Sequence, residues 1–285
     1  MKNRKILMLI GVSMLLLGMQ ACTSIKMTYN WADYLIYWRL DSHFDISSSQ
    51  KEILEKKLDN LHIWHRQVEL PKYVAFLDEI KIRLQNGLDK DDMAWYGREL
   101  KQFNINLANF IAQDTAEFLT SLSPEQIAYL ENKLNENNEE RMEKIEQTKE
   151  EAKAEAIEKG IESATEWWGD LSEDQKKVIE AGIVIDKKSQ MVAYNHRKKS
   201  QQKFINLLKE KIPIADLREQ LLDWYLNPGQ FYTQEYRSIA VKRRNRNNDN
   251  LVKIDSLATQ KQRAHLIDKI DSYKKQLQEL INEKT

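Results

Sequence analysis

Residues 122–126 read Leu-Ser-Pro-Glu-Gln, and this short stretch has the pattern of a helix start. A Ser followed three residues later by Gln forms a capping box, in which the hydroxyl accepts a backbone N–H of the first turn and the amide reaches back to the cap. Leu122 before the cap, Ile127 four residues after it and Pro124 at the first helical position belong to the same signature. The stretch therefore predicts that a helix begins at Ser123.

Three further stretches share this Ser/Thr-x-x-Gln spacing, and they are Ile46–Gln50, Leu171–Gln175 and Ala258–Gln262. Between the four starts, apolar residues recur at the 3.6-residue period of helices, and no alternating strand pattern of useful length is present. The caps are unequally spaced, which argues against a solenoid of fixed repeat. A duplicated helical hairpin that has since diverged stays open. The predicted fold class is all-α.

The composition agrees with this fold class and excludes several functions. Charged residues make up 31% of the chain, with only 8 Gly and 4 Pro, which is typical of long solvated helices. The 44 basic and 44 acidic residues give no net field that would favour nucleic acid. There is no glycine-rich phosphate loop, no Gly-x-Ser-x-Gly elbow and no paired thiol. We therefore expect a non-enzymatic protein without a cofactor.

The helix pattern predicts a bundle with one long antiparallel hairpin. The first helix is expected to begin at a cap at Asn30, and the second to end at Pro71, whose ring forbids continuation. One long helix from Ser123 to about Trp168, with a thin apolar seam, returns into a helix that runs to Lys211. The predicted segments are 1–21 signal peptide, 22–28 tether, 29–120 N-terminal bundle, 121–211 hairpin and 212–285 C-terminal helices that pack back on the bundle.

The first 22 residues have the pattern of an export signal. Basic residues precede an apolar run that ends in small residues before Cys22, the single cysteine of the chain. Polar residues interrupt the apolar run before it reaches the about 20 residues that a membrane-spanning helix needs. Gly18–Cys22 resembles the lipobox of bacterial lipoproteins, in which the thiol is alkylated by a diacylglyceryl group and the cysteine becomes residue one after cleavage. Ala21 fits that motif, whereas Met19 and Gln20 depart from it.

This resemblance implies a location and leaves one alternative. Two or three acyl chains hold a protein at a membrane almost permanently, at about 0.8 kcal/mol per buried methylene. Thr23 stands where lipoproteins retained at the inner membrane tend to carry Asp, which implies the outer membrane. The alternative is an ordinary secreted protein with a spare cysteine.

Several side chains are candidates for binding. Trp64, His65, Arg66 and Glu69 place an aromatic ring, a guanidinium and a carboxylate around one helix end, where they could hold an anionic group or a partner peptide. The alternative is that Arg66 and Glu69 form a surface ion pair while Trp64 packs in the core. His62 and His65 are weak candidates for Zn²⁺ ligands, the alternative being a pair of His65 with Glu69 one turn on. No metal is expected.

Aromatic residues crowd the first helix. Trp31, Tyr34, Leu35 and Trp38 share one face, and burial against the bundle or a position at the lipid headgroups explains them equally well. Tyr37 lies off that face and indicates contact with the membrane or a partner.

A resemblance to a family covers nearly the whole chain. The residues that carry it are Cys22, Tyr29, Asp33, Trp38, Asp41, Phe44, Gln50, Trp64-His65-Arg66, Glu69-Leu70-Pro71, Tyr73 and Gln262-Arg263-Ala264-His265-Leu266. In this order they resemble an uncharacterised family of Gram-negative lipoproteins, catalogued as a domain of unknown function. The resemblance implies a lipoprotein with a helical fold and implies no activity. The four Ser/Thr-x-x-Gln starts are also similar, more loosely, to the Leu-Thr-x-x-Gln repeats of periplasmic helical chaperones and stress adaptors.

Together these observations predict a lipid-anchored outer-membrane protein whose helical domain faces the periplasm. Its expected role is non-enzymatic binding or a chaperone-like action on a periplasmic protein client, with no nucleic acid as partner. The alternative is a structural subunit or spacer of an envelope complex, and a metal-binding protein built on His62 and His65 is a third hypothesis.

Overall fold

A computed structural model describes residues 25–283 of the 285-residue chain. Every regular element in this range is helical, and no β-strand occurs among the described residues. The predicted all-α helical bundle is therefore confirmed. The predicted signal peptide, 1–21, and the predicted lipidation site, Cys22, lie outside the described residues. Within the described range, no helix combines the length and the apolar character needed to cross a membrane.

The helices follow one another with short connections. They are α1 (Ile25–Asn30), α2 (Ala32–Phe44), α3 (Ser48–Trp64), a π-helical turn (His65–Glu69), α4 (Leu70–Asn86), α5 (Lys90–Thr120), α6 (Pro124–Glu146), α7 (Lys149–Trp168), α8 (Glu173–Gly182), α9 (Lys187–Lys209), α10 (Ile214–Leu226), a 3₁₀ turn (Pro228–Phe231), α11 (Gln234–Ser256) and α12 (Gln260–Asn282).

The four predicted helix starts are confirmed as complete capping boxes. Ser47, Ser123, Ser172 and Thr259 each accept the N–H of the Gln three residues on, and that Gln accepts the N–H of the cap in return. Such a cap contributes about 1 kcal/mol to the start of a helix.

The capping glutamines also bind one another in pairs. Gln50 and Gln126 exchange two hydrogen bonds, with Nε2 to Oε1 distances of 3.1 and 2.7 Å. Gln175 and Gln262 do the same at 3.3 and 2.9 Å. Each pair therefore joins the N-terminus of one helix to that of another, α3 to α6 and α8 to α12.

The predicted hairpin is interrupted in both arms. The long helix to Trp168 was expected to be continuous, but it ends at Glu146 and restarts at Lys149 behind a further capping box formed by Thr148 and Glu151. The returning arm breaks after Gly182. As a result α6 pairs with α9 and α7 with α8.

Two predicted helix boundaries are wrong. Asn30 is the last residue of α1 rather than a cap, because the chain is already helical from Ile25. Pro71 does not end a helix; it lies in the first turn of α4, where a proline needs no N–H. The π-helical turn before it, closed by a bond from the Leu70 N–H to the His65 carbonyl, carries the chain from α3 into α4.

The apolar interior has three clusters. The first joins the C-terminal part of α5 to α6, α9 and α10 around Leu119 and Ile205. The second joins α4, α7, α8, α11 and α12 around Trp168 and Leu266. The third fastens α12 to α4 around Leu280 and is flanked by α1. At about 1.5 Å per residue, the 31 residues of α5 span roughly 46 Å, and their C-terminal part belongs to the first cluster.

Candidate functional site

Four of the predicted binding residues meet at the π-helical turn. Trp64 is the last residue of α3, and His65, Arg66 and Glu69 belong to the turn itself. Such turns insert an extra residue into a helix and occur frequently at functional sites. The side chains around this turn form a compact cluster with α1, the first helix that the structure describes.

His65 has both ring nitrogens engaged by tyrosines. The Tyr29 hydroxyl lies 3.1 Å from Nδ1, and the Tyr73 hydroxyl lies 3.3 Å from Nε2. Burial lowers the pKa of His65, so the neutral ring is favoured. Burial also raises the pKa of Tyr29 to about 12. The expected pair of His65 with Glu69 is therefore replaced by a neutral tyrosine–histidine–tyrosine chain.

Arg66 faces the same helix α1 from the other side of the cluster. Its Nη2 lies 3.3 Å from Nε2 of His62 and 3.5 Å from Oδ1 of Asn30, and its guanidinium lies 5.7 Å from the centre of the Tyr29 ring. Burial, followed by the charge of Arg66, lowers the pKa of His62. Among the described residues, no group of three or more His, Cys, Asp or Glu side chains is placed to hold a metal ion.

Glu69 and Trp64 point into the body instead. Glu69 is 1% exposed and accepts hydrogen bonds from Lys72 at 2.6 Å and from Asn106 at 3.3 Å. The expected surface ion pair of Arg66 with Glu69 is thus wrong, because the carboxylate is buried against α5. Trp64 stacks on Phe110 with ring centres 4.1 Å apart. The cluster therefore fastens α1 to α3, α4 and α5.

Tyr37 lies apart from this cluster. It is half-buried on α2, with the Lys51 ammonium 5.1 Å above its ring. Lys51 is near the start of α3, about 20 Å along that helix from His65. The structure consequently brings four of the five predicted binding residues together and leaves Tyr37 at the other end of α3.

The structure also contains an apolar cavity that the sequence analysis missed. It has a volume of about 640 Å³ and lies between α4, α5, α7, α8, α11 and α12. Most of its lining is aliphatic or aromatic, and Trp95, Trp167 and Trp168 contribute indole rings. Ligand pockets of bundles are found between helices and have volumes of roughly 300–1,000 Å³.

The polar groups of the cavity wall include the indole of Trp168 and the side chain of Arg83, beside Ser163, Asn247 and Asn250. Trp168 is 8% exposed, and its Nε1 has no hydrogen-bond partner among the described residues. Arg83 stacks on Trp95 at 4.1 Å from the ring centre and pairs with Asp92 at 2.5 Å and Glu79 at 2.6 Å. The two carboxylates outweigh the single guanidinium charge, so Arg83 is not a free cation in the cavity wall.

Two glycines allow the cavity walls to approach each other. A Cβ on Gly160 of α7 would lie 2.9 Å from Cγ2 of Ile179 on α8. A Cβ on Gly182 would lie 1.7 Å from Nδ2 of Asn250 on α11, which is no possible contact. These glycines and the Trp167-Trp168 pair are the sequence signals that could have drawn attention to this region.

The described residues thus define an all-α protein with an open apolar cavity of ligand size between its helices. Residues 42–237 match the model of a family described as a family of unknown function (DUF6279), and the chain belongs to that family. Neither the curated proteins nor the solved structures contain a match to the chain.

Proposed function

We propose that this chain is an outer-membrane lipoprotein, anchored through Cys22, whose periplasm-facing helical body binds an apolar ligand without catalysing a reaction. The lipobox-like Gly18–Cys22 stretch supports the anchor. The observation that carries the binding role is the cavity of about 640 Å³ between six helices.

The chemistry of the wall defines the ligand class. The aliphatic and indole lining favours an apolar body, because removing such surface from water contributes about 25 cal/mol per Å². The side-chain amides of Asn247 and Asn250 also line the cavity and supply hydrogen-bond donors and acceptors for a polar group on the ligand. A fatty acyl group with its carbonyl fits this description, and so does an apolar segment of an unfolded client protein, which would make the role chaperone-like.

Photolabelling of the full chain in its membrane tests the binding role. A fatty acid that carries a diazirine is activated by light, and the labelled peptides are mapped by mass spectrometry. The label is expected on peptides that contain Trp95 and Trp167-Trp168. An excess of an unfolded client that competes with the label would identify the client as the ligand.

A matched pair of variants places the label in the cavity. Ser163 is exposed at the cavity wall, whereas its neighbour Glu162 is exposed and does not line it. Ser163→Phe should reduce labelling about tenfold, which corresponds to about 1.4 kcal/mol, while Glu162→Phe should leave it unchanged. Equal labelling of the two variants would contradict the proposal. A chain that takes no label but crosslinks in cells to a fixed set of proteins would instead be a structural subunit of an envelope complex.

A further inference from the structure

The first two helices carry an exposed aromatic face. It consists of Trp31, Tyr34, Leu35 and Trp38, and the three aromatic residues are 59%, 58% and 57% exposed. At about 100° per residue, these four positions lie within roughly 100° of one another around the helix axis. No residue of α2 is buried. An apolar patch of this kind marks an interaction site.

Both ends of this face are fastened to the body. On the N-terminal side, Tyr29 of α1 contacts the rings of His62 and His65 at 4.5 and 5.7 Å. On the C-terminal side, Phe44 packs edge-on against Phe118 at 5.3 Å. The aromatic face between them is consequently held in a fixed orientation on the surface.

The position of the face close to Cys22 indicates what covers it. Three residue steps separate Cys22 from Ile25, and they span at most about 11 Å. Trp31 and Trp38 follow about 9 and 20 Å further along α1 and α2. A chain acylated at Cys22 therefore keeps this face within about 30 Å of the membrane surface, and an orientation of the body that turns the face toward the lipid brings the rings into contact with it.

The chemistry of the face fits a lipid interface better than a polar partner. Trp and Tyr combine an apolar ring with one polar group and are enriched at the level of lipid headgroups. The carboxylates of α2 do not place a free negative charge on this face. Asp33 lies on the opposite side of the helix, and Asp41 accepts the Ile46 N–H at 3.0 Å. Arg39 at the edge forms no ion pair among the described residues and can meet a lipid phosphate.

We infer that the aromatic face of α1 and α2 inserts into the phospholipid interface of the leaflet that holds the lipid anchor, so that α2 lies in the membrane plane and orients the body above it. This inference rests on the proposed anchor at Cys22 but not on the ligand in the cavity. Because the face gains its affinity from rings rather than from net charge, insertion should be the same in neutral and in anionic membranes.

Spin labels on the full acylated chain test the inference. With Cys22 acylated, a new cysteine is the single free thiol. Tyr34→Cys and Trp38→Cys place a nitroxide on the face, and Val184→Cys and Tyr225→Cys place it at other exposed apolar positions as controls. The chain is reconstituted in phosphatidylcholine vesicles, with and without phosphatidylglycerol, and collisions with oxygen and with a water-soluble nickel chelate are measured.

Labels on the face are expected to show a several-fold higher ratio of oxygen to nickel accessibility than the controls, in both vesicle types. Equal ratios in a chain that still sediments with the vesicles would overturn the inference and leave the anchor intact. Each chain carries one label, so dipolar broadening of its spectrum would show that the faces of two chains are in contact. That result would also overturn the inference. Failure of the unsubstituted chain to sediment with vesicles would contradict the anchor itself.

Discussion

A single buried carboxylate joins three segments of the second apolar cluster. Asp255 of α11 is fully buried and accepts the backbone N–H of Leu88 at 2.8 Å, in the connection between α4 and α5. It also pairs with Arg263 of α12 at 3.1 and 3.2 Å. Arg263 in turn donates to the carbonyl of Leu84 at 2.6 Å. Asp255 therefore positions one wall of the cavity.

Asp255→Ala is expected to lower the free energy of unfolding by about 3–5 kcal/mol, because it leaves the Arg263 charge and a backbone donor without their buried partner. Asp249→Ala on the same helix removes an exposed ion pair with Lys90 and should cost less than about 1 kcal/mol. Urea unfolding followed by circular dichroism measures both. Similar losses for the two variants would contradict the role of Asp255.

The histidines at the π-helical turn predict a pH dependence. The folded-state pKa values of His62 and His65 lie below the unfolded value near 6.5, so the unfolded chain takes up protons first as the pH falls. Their contribution to stability is therefore complete above about pH 6.5 and is lost below it. Unfolding free energies measured between pH 7.5 and 5 should decrease in the native chain and decrease less in a His62→Gln, His65→Gln variant. Equal slopes would show that neither histidine is responsible.

The sequence predicted which side chains cluster at the π-helical turn, but it did not predict which residues they contact. Trp64, His65, Arg66 and Glu69 were recognised as a group from their spacing along one helix end. Pairing rules for a regular helix put His65 and Arg66 next to Glu69, and the π-helical turn changes that register. The partners Tyr29 and Asn106 come from helices distant in sequence, which local patterns cannot reveal.

At the level of helices, the paired caps explain why these starts carry glutamine. Closing a capping box needs only an acceptor, and Glu151 does so behind Thr148 at a solvent-exposed start. Gln175 must accept the Ser172 N–H and also donate to Gln262 and to the Ile254 carbonyl. A carboxylate has no proton to donate for the second task.

Gln175→Glu should therefore lower the free energy of unfolding by at least about 2 kcal/mol, since it buries a carboxylate against acceptor oxygens. The reverse exchange, Glu151→Gln, should change it by less than about 0.5 kcal/mol. Both variants keep the capping box, so the comparison tests what the buried amide of Gln175 contributes through its donor group and its neutral charge, against an exposed cap where neither is needed. A small loss for Gln175→Glu would indicate that pairing of the caps contributes little.

Helix starts were predicted well because capping is local, whereas two helix breaks were missed, after Glu146 and after Gly182. The Thr148-x-x-Glu151 box has the same physical meaning as the Gln boxes but was hidden in a continuous run of helix-forming residues. Residues 131–162 contain few apolar side chains along one helix face, which predicted that this segment buries little apolar surface. In the structure, polar contacts between α6 and α9 add to the apolar ones. Asn138 is buried there and donates a hydrogen bond to Gln201 at 2.7 Å.

For the whole molecule, periodicity predicted the fold class but not the cavity. The cavity depends on how six helices from three parts of the chain meet, and on glycines whose close contacts are set by tertiary packing. Similarly, the pattern placed Trp31, Tyr34 and Trp38 on one face but could not decide between burial and exposure. The structure exposes all three, which supports the position at lipid headgroups over burial against the bundle.

Native mass spectrometry of the full chain extracted from its membrane tests the central claim most directly. The account predicts a polypeptide that begins at Cys22, carries acyl chains there and retains one apolar molecule, which is lost in Ser163→Phe and kept in Glu162→Phe. A chain that keeps residues 1–21, or an acylated chain that carries no bound molecule in either variant, would contradict it.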